Sequence, residues 1–121
     1  LPRGAAYVNN PVSFDPRATP EFFTNVTDAR FRDEGKNEVI DVDRLKTGQA
    51  LVNSERLVNI VRSGSVVHST SYVRDPSWRS QPNELAVVKH GNDYFIWNGN
   101  HRAAAAMLMG QKRVAVRVLE A

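Results

Sequence analysis

From Leu85 to Leu119 the apolar residues change their period twice, from strand-like to helical and back. Leu85-Ala86-Val87-Val88-Lys89 and Tyr94-Phe95-Ile96-Trp97 are rich in β-branched and aromatic residues, the composition a pleated, half-buried surface favours. Between them His90-Gly91-Asn92-Asp93 reads as a four-residue hairpin connection. The run breaks at Asn98-Gly99-Asn100, residues that tolerate tight turning or positive φ. Four alanines and Met107-Leu108-Met109 then carry high helix propensity, with Gly110 placed to end the helix. The pattern predicts strands over 85–89 and 94–97, a helix from about 101 to 109, and a strand over 113–119. In that last strand Val114, Val116 and Val118 point inward, and Ala115 and Arg117 outward.

The earlier half is less regular. Residues 1–18 hold three prolines, Gly4 and Asn9-Asn10, and read as an extended arm or linker. Thr19-Pro20-Glu21 is a helix start, and Phe22, Phe23, Val26 and Ala29 recur at helical spacing, so that helix packs on the domain. Arg30 to Asn37 reads as a charged loop, Val39-Ile40-Asp41-Val42 as a short strand, and Lys46-Thr47-Gly48-Gln49 as a loop. Asn53-Ser54-Glu55 opens a second helix with Leu57, Ile60 and Val61 on one face and Gly64 as its stop. Ser65–Val73 is strand-like, and residues 75–83 form an irregular loop with two prolines and Trp78. The expected fold is α/β (α+β), a small mixed sheet with helices around it. Residues 1–37 form an N-terminal arm with a short helix, and residues 38–121 form the domain proper.

Composition narrows the chemistry. Cysteine is absent, which excludes disulfides, thiol catalysis and thiolate metal sites. His68 and His90 have no metal-ligand spacing, and no Walker-type loop or Gly-x-Ser-x-Gly elbow is present. No apolar run approaches the length that spans a bilayer, so the expectation is a soluble, cytoplasmic protein without a membrane partner. Leu1-Pro2 without a Met suggests a fragment or processed product. The net charge is +3, carried by 12 Arg against 4 Lys; residues 1–35 hold 4 basic and 5 acidic residues, residues 36–121 hold 12 and 8. Arginine suits forked recognition of phosphate better than lysine, so the basic excess is compatible with a nucleotide or nucleic-acid partner.

The strand–turn–helix at Asn98–Arg102 is where such a partner fits. The N–H groups and positive dipole end of a helix face an anion there, with a guanidinium beside them. Arg102 is the candidate clamp on phosphate oxygens. His101 either donates to phosphate and acts as acid or base, or makes a structural bond to the turn. Asn98 and Asn100 read as turn formers or ligands around Gly99. Alternation places Asp41 and Asp43 on one strand face, where they either hold Mg²⁺ or are solvated.

Asn98-Gly99-Asn100-His101-Arg102-Ala103-Ala104-Ala105, with Met109-Gly110-Gln111-Lys112-Arg113 and the following valine-rich strand, resembles the signature of the ParB/sulfiredoxin superfamily. Val39 to Gln49 is similar to the opening strand and loop of that family, and the resemblance covers about two thirds of the chain, roughly Glu38 to Val118. The missing cysteine excludes sulfinic acid reduction, and the CTP box of partition clamps is absent. The resemblance implies a phosphate-binding domain that takes a nucleotide (ATP or CTP) or nucleic acid and cleaves a phosphoryl bond, with Mg²⁺ as a possible cofactor. His101 would then be acid or base, Arg102 the clamp, Asp41 the metal holder, and Lys46, Thr47 and Gln49 groups near the ligand. It also suggests a toxin or effector module, or a phage or plasmid accessory protein, with a protein partner for the N-terminal arm. A non-catalytic nucleotide-dependent DNA-binding adaptor and a small-molecule kinase are the alternatives.

Overall fold

The structure, a computed structural model, describes residues 6–63 and 85–120. The strand expected over Ser65–Val73, the loop over 75–83 and Gly64 as a helix stop lie outside the described residues.

Strands β1 (Tyr7–Asn9) and β2 (Ser13–Phe14) are followed by a 3₁₀ turn, Pro20–Phe23, and helix α1 (Asp28–Glu34). Strand β3 (Lys36–Asp41), a second 3₁₀ turn at Val42–Arg44, strands β4 (Leu45–Thr47) and β5 (Leu51–Asn53) and helix α2 (Ser54–Ser63) come next. The chain ends with β6 (Leu85–His90), β7 (Asp93–Asn98), helix α3 (Asn100–Leu108) and β8 (Arg113–Glu120). The fold is mixed α/β. Six strands form one sheet in the order β2-β4-β7-β6-β8-β3, and β1 pairs with β5 apart from it.

The C-terminal half follows its hydrophobic pattern closely. The β6–β7 hairpin closes through two residues rather than four, because Gly91 takes φ +62° and supplies the reversed twist of a tight hairpin. At the far end of α3, Gly110 takes φ +75°. The Gln111 and Gly110 N–H groups donate to Ala106 O at 2.9 Å and Met107 O at 3.1 Å, which satisfies the helix's last carbonyls. Strand β8 runs parallel to β6 and β6 antiparallel to β7, so α3 begins and ends at the same end of the sheet. Its nine residues span roughly 13 Å, enough to cross the two strand spacings from β7 to β8. The helix therefore lies across the strands. Ala103 to Ala106 are all fully buried, and side chains this small bring its backbone close to the sheet on one side and to α2 on the other.

Both faces of the sheet are covered, which the alternation rule did not anticipate. Ile40, Leu45, Leu85, Val87, Tyr94, Ile96, Val114, Val116 and Val118 form the core under α3. Ala86, Val88 and Leu119 face the other way, against Phe31, Phe22, Phe23, Val26 and Trp97. Arg117 sits on this second face and is only 1% exposed, not solvated. Its Nε donates to Phe31 O at 2.9 Å, its Nη2 to Arg32 O at 2.9 Å and its Nη1 to Asn37 Oδ1 at 2.8 Å. A cation at the last carbonyls of α1 is where the helix dipole favours one.

Three expectations for the first half are corrected. The helix anticipated from Thr19 stops after one 3₁₀ turn, and Ala29 is exposed. The segment read as a charged loop instead holds α1 and the start of β3. Thr27 caps α1 by accepting from the Arg30 N–H at 3.2 Å, and Phe31 is its one buried anchor. The stretch read as an arm is also built into the fold, with β1 antiparallel to β5 and β2 parallel to β4.

Charge ties that stretch down at its far end. Arg17 Nη2 lies 2.7 Å from both Asp15 Oδ2 and Asp93 Oδ2, and its guanidinium stands over the Phe95 ring. The hydrogen bonds from Arg17 hold the Asp15 carboxyl down at about 2. A carboxyl lowered in this way stabilises the fold fully above its ordinary value near 4 and loses that contribution as pH falls toward 2. Urea midpoints should therefore fall from about pH 4 downward in the parent. The fall should be shallower in Asp15→Asn, which keeps an oxygen for the Arg17 N–H but cannot titrate. Parallel pH profiles for the two proteins would remove Arg17 from this role.

Candidate functional site

The turn between β7 and α3 forms as its residues suggest. Gly99 takes φ +111° and ψ 24° and is the N-cap residue, so no side chain covers the opening turn of α3 from that position. The first intrahelical bond runs from the Ala103 N–H to Gly99 O at 2.8 Å. A Cβ on Gly99 would lie 2.6 Å from Leu85 Cδ2 and 3.2 Å from Arg102 Nη2. That second distance places the Arg102 guanidinium: it folds back over the turn and is half-buried against the Gly99 backbone. Asn98 is exposed at the end of β7. Asn98, Gly99 and Arg102 are thus brought together, with the guanidinium beside a helix start.

Two side chains pin that helix start. The buried Thr47, last residue of β4, donates from Oγ1 to Asn100 Oδ1 at 2.5 Å and accepts from the Gln49 N–H at 3.0 Å. On the other side, His101 Nε2 accepts from the Asn53 backbone N–H at 3.0 Å. Asn53 Oδ1 in turn accepts from the Arg56 N–H at 3.0 Å and so caps α2. Burial, and then the nearby Arg56 charge, hold the His101 ring below its ordinary value. The ring is therefore neutral near pH 7, and its Nε2 lone pair is committed to Asn53. Of the two roles the sequence left open for His101, the structural bond is the one found, though made to β5 rather than to the turn.

Other candidates lie elsewhere. Lys46 points down the opposite face of the sheet, 3.6 Å from Asp93 and 3.7 Å from Asp15. Asp93 begins the strand that Asn98 ends, roughly 17 Å away along β7. Lys46 is therefore not part of the turn. Gln49 is exposed, and its side chain donates to Leu51 O at 2.8 Å. Asp41 ends β3, which β8 and β6 separate from β7, roughly 14 Å across the sheet. It is exposed, with its Oδ1 4.0 Å from Arg113 Nε.

Asp43 does not share a strand face with Asp41, because β3 has ended and Asp43 sits exposed in the 3₁₀ turn. Among the described residues no three His, Cys, Asp or Glu side chains gather at one point. Asp41 and Asp43 lie on different elements, the end of β3 and the 3₁₀ turn after it, and both are exposed.

Sequence reasoning identified Asn53 as a helix opener but missed its bond to His101. The signal for the first was local spacing; the second joins residues 48 apart and has no local signature. On the far face of the sheet a cleft of about 230 Å³ is floored by Phe22, Val26, Val88 and Leu119, with Glu21, Arg30 and Glu120 on its rim. Its cation is engaged: Arg30 donates to Glu34 and to Asn25 O. Among the described residues no helix is long and apolar enough to cross a membrane. No protein-family model, curated protein or solved structure matches the chain.

Proposed function

We propose that this chain is a ParB/sulfiredoxin-like domain that binds the phosphate of a nucleotide or nucleic acid at the turn from Asn98 to Arg102. The observation that carries this reading is the Arg102 guanidinium lying over a left-handed Gly99 at an α-helix start. The first-turn amides of a helix have no acceptors within it, and its dipole favours an anion at that end. An arginine there adds charge and a forked donor set.

Binding without turnover is the form this arrangement favours, an adaptor that responds to its ligand rather than a nuclease. Hydrolysis needs a base or a metal-held water beside the phosphorus. His101 has its lone pair committed to Asn53, and Asp41 lies across the sheet from the turn. Phosphodiester or nucleotide hydrolysis in the presence of Mg²⁺ would restore the nuclease reading.

Arg102→Ala tests the site directly. Charge-assisted hydrogen bonds contribute about 1.5–3 kcal/mol each, so affinity for ATP, CTP or a short oligonucleotide should fall about 10- to 150-fold. Urea stability should change by about 1 kcal/mol or less, since the side chain is half-exposed. If a nucleic acid is the ligand, the logarithm of affinity should also fall nearly linearly with the logarithm of salt concentration. Unchanged affinity in Arg102→Ala would place any phosphate elsewhere.

A further inference from the structure

We propose that His101 is a proton-operated latch: its neutral ring holds the β1–β5–α2 unit on the start of α3, and protonation releases that unit. The inference goes beyond phosphate binding and does not depend on it.

Among the described residues the unit makes few other polar ties to α3. Strand β5 pairs with β1 and not with the six-stranded sheet. Helix α2 and β5 meet α3 through a small apolar contact, Val52, Leu57 and the half-buried Ile60 against Ala104 and Ala105. Alanines offer little surface, so a single hydrogen bond is a sizeable part of the attachment. The Asn53 N–H to His101 Nε2 bond supplies it, at the residue that also caps α2.

Protonation acts on that bond in one direction. Nitrogen Nε2 can accept only while the ring is neutral with its proton on Nδ1; in imidazolium both nitrogens are donors. The ring N–H would then confront the Asn53 N–H. The charged groups around the ring oppose a further positive charge. Arg56 faces it from α2, Arg102 follows it on α3, and the positive dipole end of α3 lies beneath it. Strand β5 (Leu51–Asn53) carries no titratable side chain, Tyr7 of β1 stands opposite Asn53 in register, and Glu55 on α2 is exposed. Burial and Arg56 keep the latch closed at neutral pH. Since the folded ring binds its proton less readily than the unfolded one, the attachment is complete above about pH 6.5 and is lost as pH falls through the folded value.

Nitrogen-detected NMR of the imidazole, with amide exchange measured from pH 7.5 to 5, tests this on the whole chain. The ring should be the Nδ1–H tautomer and titrate below 6.5. Exchange protection at Asn53 and along α2, corrected for the intrinsic pH dependence of exchange, should fall about five- to tenfold through that titration, while β6 and β8 hold theirs. His101→Gln can accept from Asn53 without titrating and should keep α2 protected throughout. Arg56→Gln should raise the pH of release. A ring that titrates at or above 6.5, α2 protection unchanged through the titration, or the same pH dependence in His101→Gln would each overturn the latch.

Discussion

Gly99→Val should unfold the domain at urea concentrations that leave the parent fully native. Two costs add at this buried position. A β-branched residue at φ +111° lies in a region only glycine occupies readily, with a strain of about 1–3 kcal/mol. The new Cβ would also stand 2.6 Å from Leu85 Cδ2, and forcing that side chain aside in a packed core costs about 1–3 kcal/mol more. The expected loss is about 3–5 kcal/mol, a large share of a small domain's stability. Gly99→Ala has the same backbone strain and first clash without the branch, and should lose about 2–3 kcal/mol. Urea unfolding of both variants measures the comparison. If valine is tolerated as well as alanine, the turn has an alternative conformation, and the helix start is less rigid than the proposed anion site requires.

The second large effect is expected at Arg117→Leu. Leucine fills part of the space but donates nothing, so Phe31 O, Arg32 O and Asn37 Oδ1 each lose a donor bonded at 2.9, 2.9 and 2.8 Å. Hydrogen bonds from a charged group contribute about 1.5–3 kcal/mol each, and Phe31 O keeps only its bond from the Gly35 N–H at 3.0 Å among those described. Allowing for local rearrangement, a loss of about 3–5 kcal/mol is expected in urea unfolding. The damage should be local first, with α1 losing amide-exchange protection while α3 keeps it. Gly35 belongs to the same arrangement, since a Cβ there would run into Phe31 O and stand 2.8 Å from Arg117 Nε. A variant as stable as the parent would mean that water reaches those carbonyls as readily as the arginine does.

Arg117 also shows where sequence patterning loses its grip. In β8 the valines alternate cleanly, and the rule that the other positions face water holds only when one face of the sheet is open. Here α1 covers the second face, and α1 is nearly invisible in sequence. Six of its seven residues are polar, charged or alanine, and its one buried anchor is Phe31. Its stability comes from Thr27, Arg117 and the sheet beneath, none of which a local window registers. The β6–β7–α3–β8 unit was legible for the opposite reason. Its strands carry β-branched and aromatic runs, and its turns need glycine at the positions where φ is positive.

The candidate site divides in the same way. Gly99 and Arg102 lie together because they are three residues apart across a turn, and spacing alone places them. Thr47, Asn53, Lys46 and Asp41 are placed by strand order, and strand order is a property of long-range pairing. The resemblance implied Lys46 near the ligand, whereas parallel pairing of β4 with β7 sends its ammonium toward Asp93. It implied Asp41 as a metal holder at the same site, and two intervening strands separate Asp41 from the turn.

The position of β8 bears on how the chain comes together in time. It is the last of the described strands to be made, yet it lies inside the sheet, hydrogen-bonded to β6 on one side and β3 on the other. Among the described residues strand β3 pairs with β8 alone, and that partner begins 72 positions after the end of β3, from Asp41 to Arg113. During synthesis, residues 36–41 must wait for residues 113–120 to leave the ribosome before their backbone finds its ladder. Pairings this remote carry a loop-closure cost ahead of any reward, which slows assembly relative to folds built from local contacts. Until then β3 lacks its β8 partner, and the charges of Lys36, Glu38 and Asp41 along it discourage pairing with another chain.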